Sequence, residues 1–164
     1  MTNDGAMQPY ALTLDKFLDH AAKWHPDTQV VTARPGGVNT RVGYAALRER
    51  AVRVSGVLAG LGVRKGDRVA TLAWNSQAHV EAWFAIMGMG AACHTLNPRL
   101  TADQTASMLA RSQAQIVIVS ADLLPLARAI TAITPVRHIL TIDDEADDPA
   151  VRSLEALLAE AGSQ

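Results

Sequence analysis

Cysteine is nearly missing from this sequence. Cys93 is the single one in 164 residues, so no intrachain disulfide can form, which suits a reducing compartment. An excess of charge is missing too. The 15 basic and 16 acidic residues leave a formal net charge of −1, and no basic stripe of the kind that binds nucleic acid is present. The scattered arginines include a local group, Arg48, Arg50 and Arg53, that reads as one solvated helix face. No apolar run reaches the roughly 20 residues that cross a bilayer. The longest, over 82–93, contains Gly88 and Gly90 and reads as a buried helix running into a strand. The polar start, Met1 to Tyr10, lacks the apolar core of a signal peptide.

What is there is a globular composition, 49% hydrophobic and 19% charged, far from the signature of disorder. The length fits about one domain, able to bury roughly two-thirds of its unfolded surface.

The first periodic segment covers 14–24. Leu14, Phe17, Leu18, Ala21 and Trp24 fall three or four apart and share one helical face. Thr13 is the expected N-cap, and Pro26 ends the helix. A hairpin follows: β-branched residues over 29–33, a turn at Pro35, Gly36 and Gly37, and a return over 38–42. A second helix over 44–58 carries the apolar stripe Leu47, Ala51, Val54 and Leu58 and is closed by Gly60 or Gly62.

From there the pattern is regular. Strands are expected at 68–73, 91–96, 115–119 and 136–142, and helices at 76–89, 101–111 and 122–133. Thr101 and Gln104 fit a capping box. Pro125 falls in a first helical turn, where its missing amide hydrogen costs nothing. The run Gln115-Ile-Val-Ile-Val119 is continuously apolar, as in a strand covered on both faces. Strand–helix alternation with short connections implies a mostly parallel sheet with helices on both faces. The fold class is therefore α/β, with an N-terminal helix and β-hairpin added. Residues 1–12 read as a flexible N-terminus and 13–142 as the α/β unit. Residues 143–164 read as an acidic loop and a short helix over 153–161. Only that loop and helix follow the last expected strand, so a larger sheet or second domain could continue beyond Gln164.

Signatures of chemistry are scarce. Gly60-Leu-Gly62-Val-Arg-Lys65-Gly66 has the wrong spacing for a phosphate loop and no hydroxyl residue after the lysine. Gly88-Met-Gly90 lies between a helix and a strand, the reverse of a dinucleotide fingerprint. His20 and His25 lack a further ligand, His79 and Glu81 point to different helix faces, and His138 sits within a strand; none forms a metal set. Ser55, Ser76, Ser107, Ser112 and Ser120 occupy no nucleophile elbow. Cys93 reads as an inert, buried thiol.

One stretch is specific. It runs Lys65-Gly-Asp-Arg-Val-Ala-Thr-Leu-Ala-Trp-Asn75, then His79-Val-Glu-Ala-Trp-Phe-Ala-Ile-Met-Gly-Met-Gly-Ala-Ala92, then His94-Thr-Leu-Asn-Pro-Arg-Leu100. It resembles the N-terminal region of medium- and long-chain fatty-acyl-CoA synthetases of the adenylate-forming superfamily. Upstream, Val42-Gly-Tyr44-Ala-Ala-Leu47 resembles that family's early T-Y-x-E-L element, with the threonine and glutamate replaced. The likeness covers most of 14–142. Gly66-Asp67, Gly88, Gly90 and Pro98 make sense in it as turn and packing residues of a scaffold.

The resemblance implies a parent ligase that uses ATP, Mg2+ and coenzyme A to turn a carboxylic acid into an acyl-adenylate and then a thioester. The family's phosphate loop, adenine segment, ribose-binding aspartate and catalytic lysine have no counterpart in this sequence. No catalytic, cofactor-binding or metal residue is therefore carried over, and the chain alone is expected to be inactive and to bind no cofactor. His94, Asn97 and Arg99, polar residues at and beyond a strand's carboxyl end, are candidates for the acyl pocket or a subunit contact. The implied partners are the rest of the ligase chain, a fatty acid or other carboxylic acid, and a second copy in a homodimer. No nucleic acid and no transmembrane segment are expected. The implied location is the cytoplasm, with peripheral membrane contact left open. The rival reading is a stand-alone, non-catalytic α/β module that keeps this scaffold for binding or dimerisation. An unrelated doubly wound nucleotide binder is disfavoured by the missing glycine signatures.

Overall fold

The structure is a computed structural model, and it describes residues 11, 13–34, 36–142 and 150–162. Apart from Ala11, the N-terminus expected to be flexible lies outside the described residues. So do Pro35 of the hairpin turn and the acidic loop from Asp143 to Asp148.

Helix α1 (Asp15–Trp24) leads into an antiparallel hairpin of β1 (Gln29–Thr32) and β2 (Thr40–Gly43). Val30 pairs with Val42 and Thr32 with Thr40, and Gly36 and Gly37 take positive φ in the turn. Helix α2 (Tyr44–Gly60) follows at once. Its expected stripe of Leu47, Ala51, Val54 and Leu58 is buried throughout. Gly62, at φ 94°, ends it by donating to the Ala59 carbonyl at 3.0 Å.

Strands β3 (Arg68–Leu72), β4 (Ala92–Thr95), β5 (Ile116–Ser120), β6 (His138–Ile142) and β7 (Arg152–Ser153) form one sheet in the order β4-β3-β5-β6-β7. Every pairing in it is parallel. Helices α3 (Gln77–Gly88), α4 (Ala102–Ser112), α5 (Leu124–Thr131) and α6 (Leu154–Gly162) complete the fold.

The core has two layers, one on each face of the sheet. Ala82, Ala85 and Ile86 of α3, Val54 and Leu58 of α2, and Leu154 and Leu158 of α6 pack on Val69, Ile116, Ile118 and Leu140. Ala106 and Leu109 of α4 and Ala127 and Ile130 of α5 pack on Ala70, Leu72, Val117 and Val119. All five residues of β5 are buried, and each large aliphatic side chain so placed contributes about 1.5–3 kcal/mol. The capping box of α4 forms as expected, with Thr101 and Gln104 each satisfying a backbone amide of the other. A 3-10 turn (Ala121–Leu123) precedes α5, which places Pro125 at its start.

Four expectations are corrected. Thr13 does not cap α1; Leu14 occupies that position with no side-chain bond. Of the α1 stripe only Leu18 is buried, while Leu14, Phe17 and Trp24 are 47%, 54% and 61% exposed, because this helix rests on α2 and α3 along a single line of contact. The sheet does not end at β6, since β7 adds a two-residue parallel strand at its edge, Leu140 pairing with Arg152. The arginines of α2 are a solvated face only in part. Arg50 Nε donates to the buried Glu81 carboxylate of α3 at 2.8 Å, and Arg50 also pairs with Glu155 of α6. Arg53 donates to the Leu158 carbonyl at 2.8 Å. Arg48 and Arg53 remain exposed, Arg48 pairing with exposed Asp19, and only Arg50 is half-buried.

Candidate functional site

The chain runs from β3 through α3 to β4 on one side, then crosses through α4 to β5 on the other. The carboxyl ends of β3 and β5 therefore flank the point where the strand order reverses, which is where open α/β sheets place ligands.

Trp74 stands at this point, just after β3. Its amide donates to Ser120 Oγ at 3.1 Å, and its indole Nε1–H donates to Asp122 Oδ2 at 2.8 Å. Its carbonyl lies 3.1 Å from Nδ1 of His79. The side chain remains 43% exposed, so the ring is tethered by its edge with a face open to solvent.

His79 lies on the first turn of α3, where Ser76 caps the helix by accepting from its amide at 3.3 Å. The imidazole Nε2 accepts from Trp83 Nε1–H at 2.9 Å and lies 2.9 Å from Thr71 Oγ1 of β3. The rings of His79 and Trp83 meet edge to face, their centroids 4.8 Å apart. An apolar cleft opens beside them, lined by Val30, Val31, Ser76, His79, Val80 and Trp83.

Asn97 and Arg99 meet in one loop, and no hydrogen bond joins either to His94 among the described residues. His94 is in β4, paired with Ala70; its Nδ1 is buried and has no hydrogen-bond partner among the described residues. Burial lowers its pKa below the usual histidine value. Asn97 and Arg99 are exposed in the loop after β4, where Asn97 Oδ1 accepts from the Arg99 amide at 2.9 Å. Cys93 is half-buried in β4, and burial pushes its thiol up to about 11, so it is a protonated, weak nucleophile at neutral pH.

Sequence reasoning did not single out Trp74 or Asp122 as site residues, and it weighed Ser120 only as a nucleophile and His79 only as a metal ligand. Their signal is positional: they stand at or after strand ends that are neighbours only once the strand order is known.

The residues at this edge do not fit ATP and magnesium. A triphosphate calls for cations and converging amides, whereas Trp74, Asn75, Ser120 and Asp122 supply no cation. The Asp122 carboxylate already accepts from Trp74. Among the described residues no three His, Cys, Asp or Glu side chains converge in a way that could hold a metal ion.

Residues 18–162 match the family of AMP-binding enzymes. The chain is 39% identical over 156 residues to the long-chain-fatty-acid–CoA ligase of Thermus thermophilus, an alignment covering 94% of this chain and 29% of that one. It is 34% identical over 145 residues to the 3-methylmercaptopropionyl-CoA ligase of Ruegeria lacuscaerulensis, covering 88% of this chain and 27% of the relative. The solved Mycobacterium tuberculosis fatty acyl CoA synthetase superposes with a TM-score of 0.75 at 29% identity, over 90% of this chain and 28% of that one. The chain thus spans under a third of the length of these relatives and corresponds to their N-terminal part. With its five-stranded parallel sheet, its hairpin and a match running through nearly all of its described residues, the chain belongs to the AMP-binding enzyme family of acyl-CoA ligases.

Proposed function

We propose that this chain is the N-terminal scaffold of a fatty-acid–CoA ligase. In the parent, the carboxylate displaces pyrophosphate from ATP to give an acyl-adenylate, and the thiol of coenzyme A then displaces AMP. Magnesium neutralises phosphate charge in the first step. The observation that carries this reading is the match over residues 18–162 together with 39% identity to a long-chain-fatty-acid–CoA ligase. The chain alone performs neither step, because Trp74, Asn75, Ser120 and Asp122 at the switch point supply no cation for the phosphates. Its partner is the remainder of the ligase, and pairing of two copies is compatible with the exposed apolar residues of α1. We place the parent in the cytoplasm, with membrane contact at most peripheral; no helix among the described residues is long and apolar enough to cross a membrane. The segment 13–142 acts as one α/β unit, and 143–164 leads towards the remainder. His94, Asn97 and Arg99 are proposed as pocket or contact residues in the assembled ligase, supported by the unpartnered Nδ1 of His94.

The test begins with the gene beyond the codon for Gln164. If the frame continues, its complete product releases pyrophosphate only when a fatty acid and ATP are both supplied, and forms the thioester on addition of coenzyme A. The chain ending at Gln164 shows neither activity. Acyl-adenylate formation by this chain alone, or a complete product inactive with every carboxylic acid tried, overturns the reading. A stop codon at that point replaces it with the stand-alone module.

A further inference from the structure

His79 is the one buried histidine, 5% exposed, and both ring nitrogens are engaged. The Trp83 indole can only donate, so Nε2, which accepts from it at 2.9 Å, carries no proton. The Trp74 carbonyl can only accept, so Nδ1, 3.1 Å away, must carry the proton and donate. An imidazolium would set an N–H against the N–H of Trp83. The neutral Nδ1–H tautomer satisfies the Trp74 carbonyl and the Trp83 indole, and the Thr71 hydroxyl, 2.9 Å from Nε2, can donate to the same bare nitrogen.

We propose that His79, fixed as the neutral Nδ1–H tautomer, is a positioning residue that holds Trp74 so that its indole forms one wall of the ligand crevice between the carboxyl ends of β3 and β5. Trp74 is clamped at its amide by Ser120, at its carbonyl by His79 and at its ring by Asp122. Three restraints on one half-exposed residue are more than packing of the ring requires. They leave a rigid aromatic face at the strand switch point, a surface on which the apolar part of a carboxylic acid packs. The role in substrate binding rests on the ligase reading, whereas the tautomer does not.

Two arms test it. In the 164-residue chain, long-range nitrogen–proton NMR of the imidazole shows Nδ1 protonated and Nε2 bare at neutral pH; the opposite tautomer or an imidazolium overturns the proposal. In the complete ligase, His79→Phe raises KM for the carboxylic acid about tenfold with kcat little changed, the pattern of a lost binding contact. Asn at this position places an amide N–H near that of Nδ1, so His79→Asn restores both KM and the Trp74 indole resonance. Gln reaches only the position of Nε2, so His79→Gln restores neither. Equal behaviour of the Asn and Gln variants overturns the role of His79. If the variants at 79 do not fold, Trp74→Phe, at a half-exposed position, tests the wall directly, and an unchanged KM overturns it. A wild-type ligase with no activity sinks the ligase reading instead and leaves the NMR arm to decide the tautomer.

Discussion

Glu81 is 1% exposed on α3, and a carboxylate taken out of water needs a cation and further donors to remain charged. It has both: Arg50 Nε at 2.8 Å and Gln77 Nε2 at 2.6 Å. Glu81→Ala leaves Arg50 with only the exposed Glu155 and strands the Gln77 amide. Because Arg50 retains some solvent contact, the expected cost is about 2 kcal/mol, below the roughly 3–5 kcal/mol of a fully buried pair. It is read as a lower urea midpoint at an unchanged slope, and an unchanged midpoint refutes it. Cys93 makes a second prediction at this scale. Its thiol is raised from 9.0 to about 11, chiefly by burial and against an opposing bond from Thr71. The folded state therefore holds this proton more tightly than the unfolded state, and stability falls as pH rises from about 9 through 11. At pH 8 iodoacetamide should label the folded chain much more slowly than the urea-unfolded chain, and equal rates would contradict the burial argument.

At the scale of elements, two glycines that look alike in the sequence behave oppositely. Gly56 lies on α2 with nothing within 4 Å of an added Cβ, so Gly56→Ala should stabilise the chain by about 0.5–1 kcal/mol through lower unfolded-state entropy and better helix propensity. Gly43 joins β2 to α2, and a Cβ there would stand 2.6 Å from the Pro26 carbonyl oxygen. Gly43→Ala must push the hairpin away from the loop after α1, and a lower melting temperature is expected. If both variants melt alike, the close approach at Gly43 is not real. Such contacts are not written in local pattern, and the rest of the reading divides along the same line. The α2 stripe, the buried run of β5 and the capping box of α4 were legible because each is encoded within one element. The exposure of Phe17 and Trp24 was not, since periodicity reports a stripe without saying what covers it. The half-burial of Arg50 and the partners of Arg50 and Arg53 were not legible, because those partners lie 31 and 105 residues away. His79 and Glu81 do point to different faces of α3, as their spacing says. Both are nonetheless buried, because the sheet and α2 enclose that helix. The switch point was invisible for the same reason: β3 and β5 become neighbours only through the crossover. His94 illustrates the limit, since a polar residue in a strand was noticed, but that no hydrogen bond joins it to Asn97 or Arg99 among the described residues depends on the fold.

Among the described residues the fold is tied together by contacts between α2 and α6. Helix α6 reaches the body of the fold through three kinds of interaction. Leu154, Leu157 and Leu158 enter the core layer shared with α2 and α3. Ser153 extends the sheet beside Thr141. Arg50 and Arg53 of α2 grip Glu155 and the Leu158 carbonyl. The apolar contact supplies most of the attachment, since area removed from water scales with burial while exposed ion pairs add less than about 1 kcal/mol. The Arg53 bond differs from the Glu155 pair, because its acceptor is a backbone carbonyl of α6, so it ties the helix itself and not an exposed side chain. Arg53→Ala should therefore loosen α6 as a unit without unfolding the sheet. Hydrogen exchange is the measurement: amides of α6 and β7 should exchange several-fold faster, while those of β3 and β5 keep wild-type protection, as expected when one cooperative segment opens below the global transition. Uniformly faster exchange would mean that α6 and the sheet unfold together, making the C-terminal helix an integral part of the domain's cooperativity; unchanged exchange would mean that the three leucines hold it unaided.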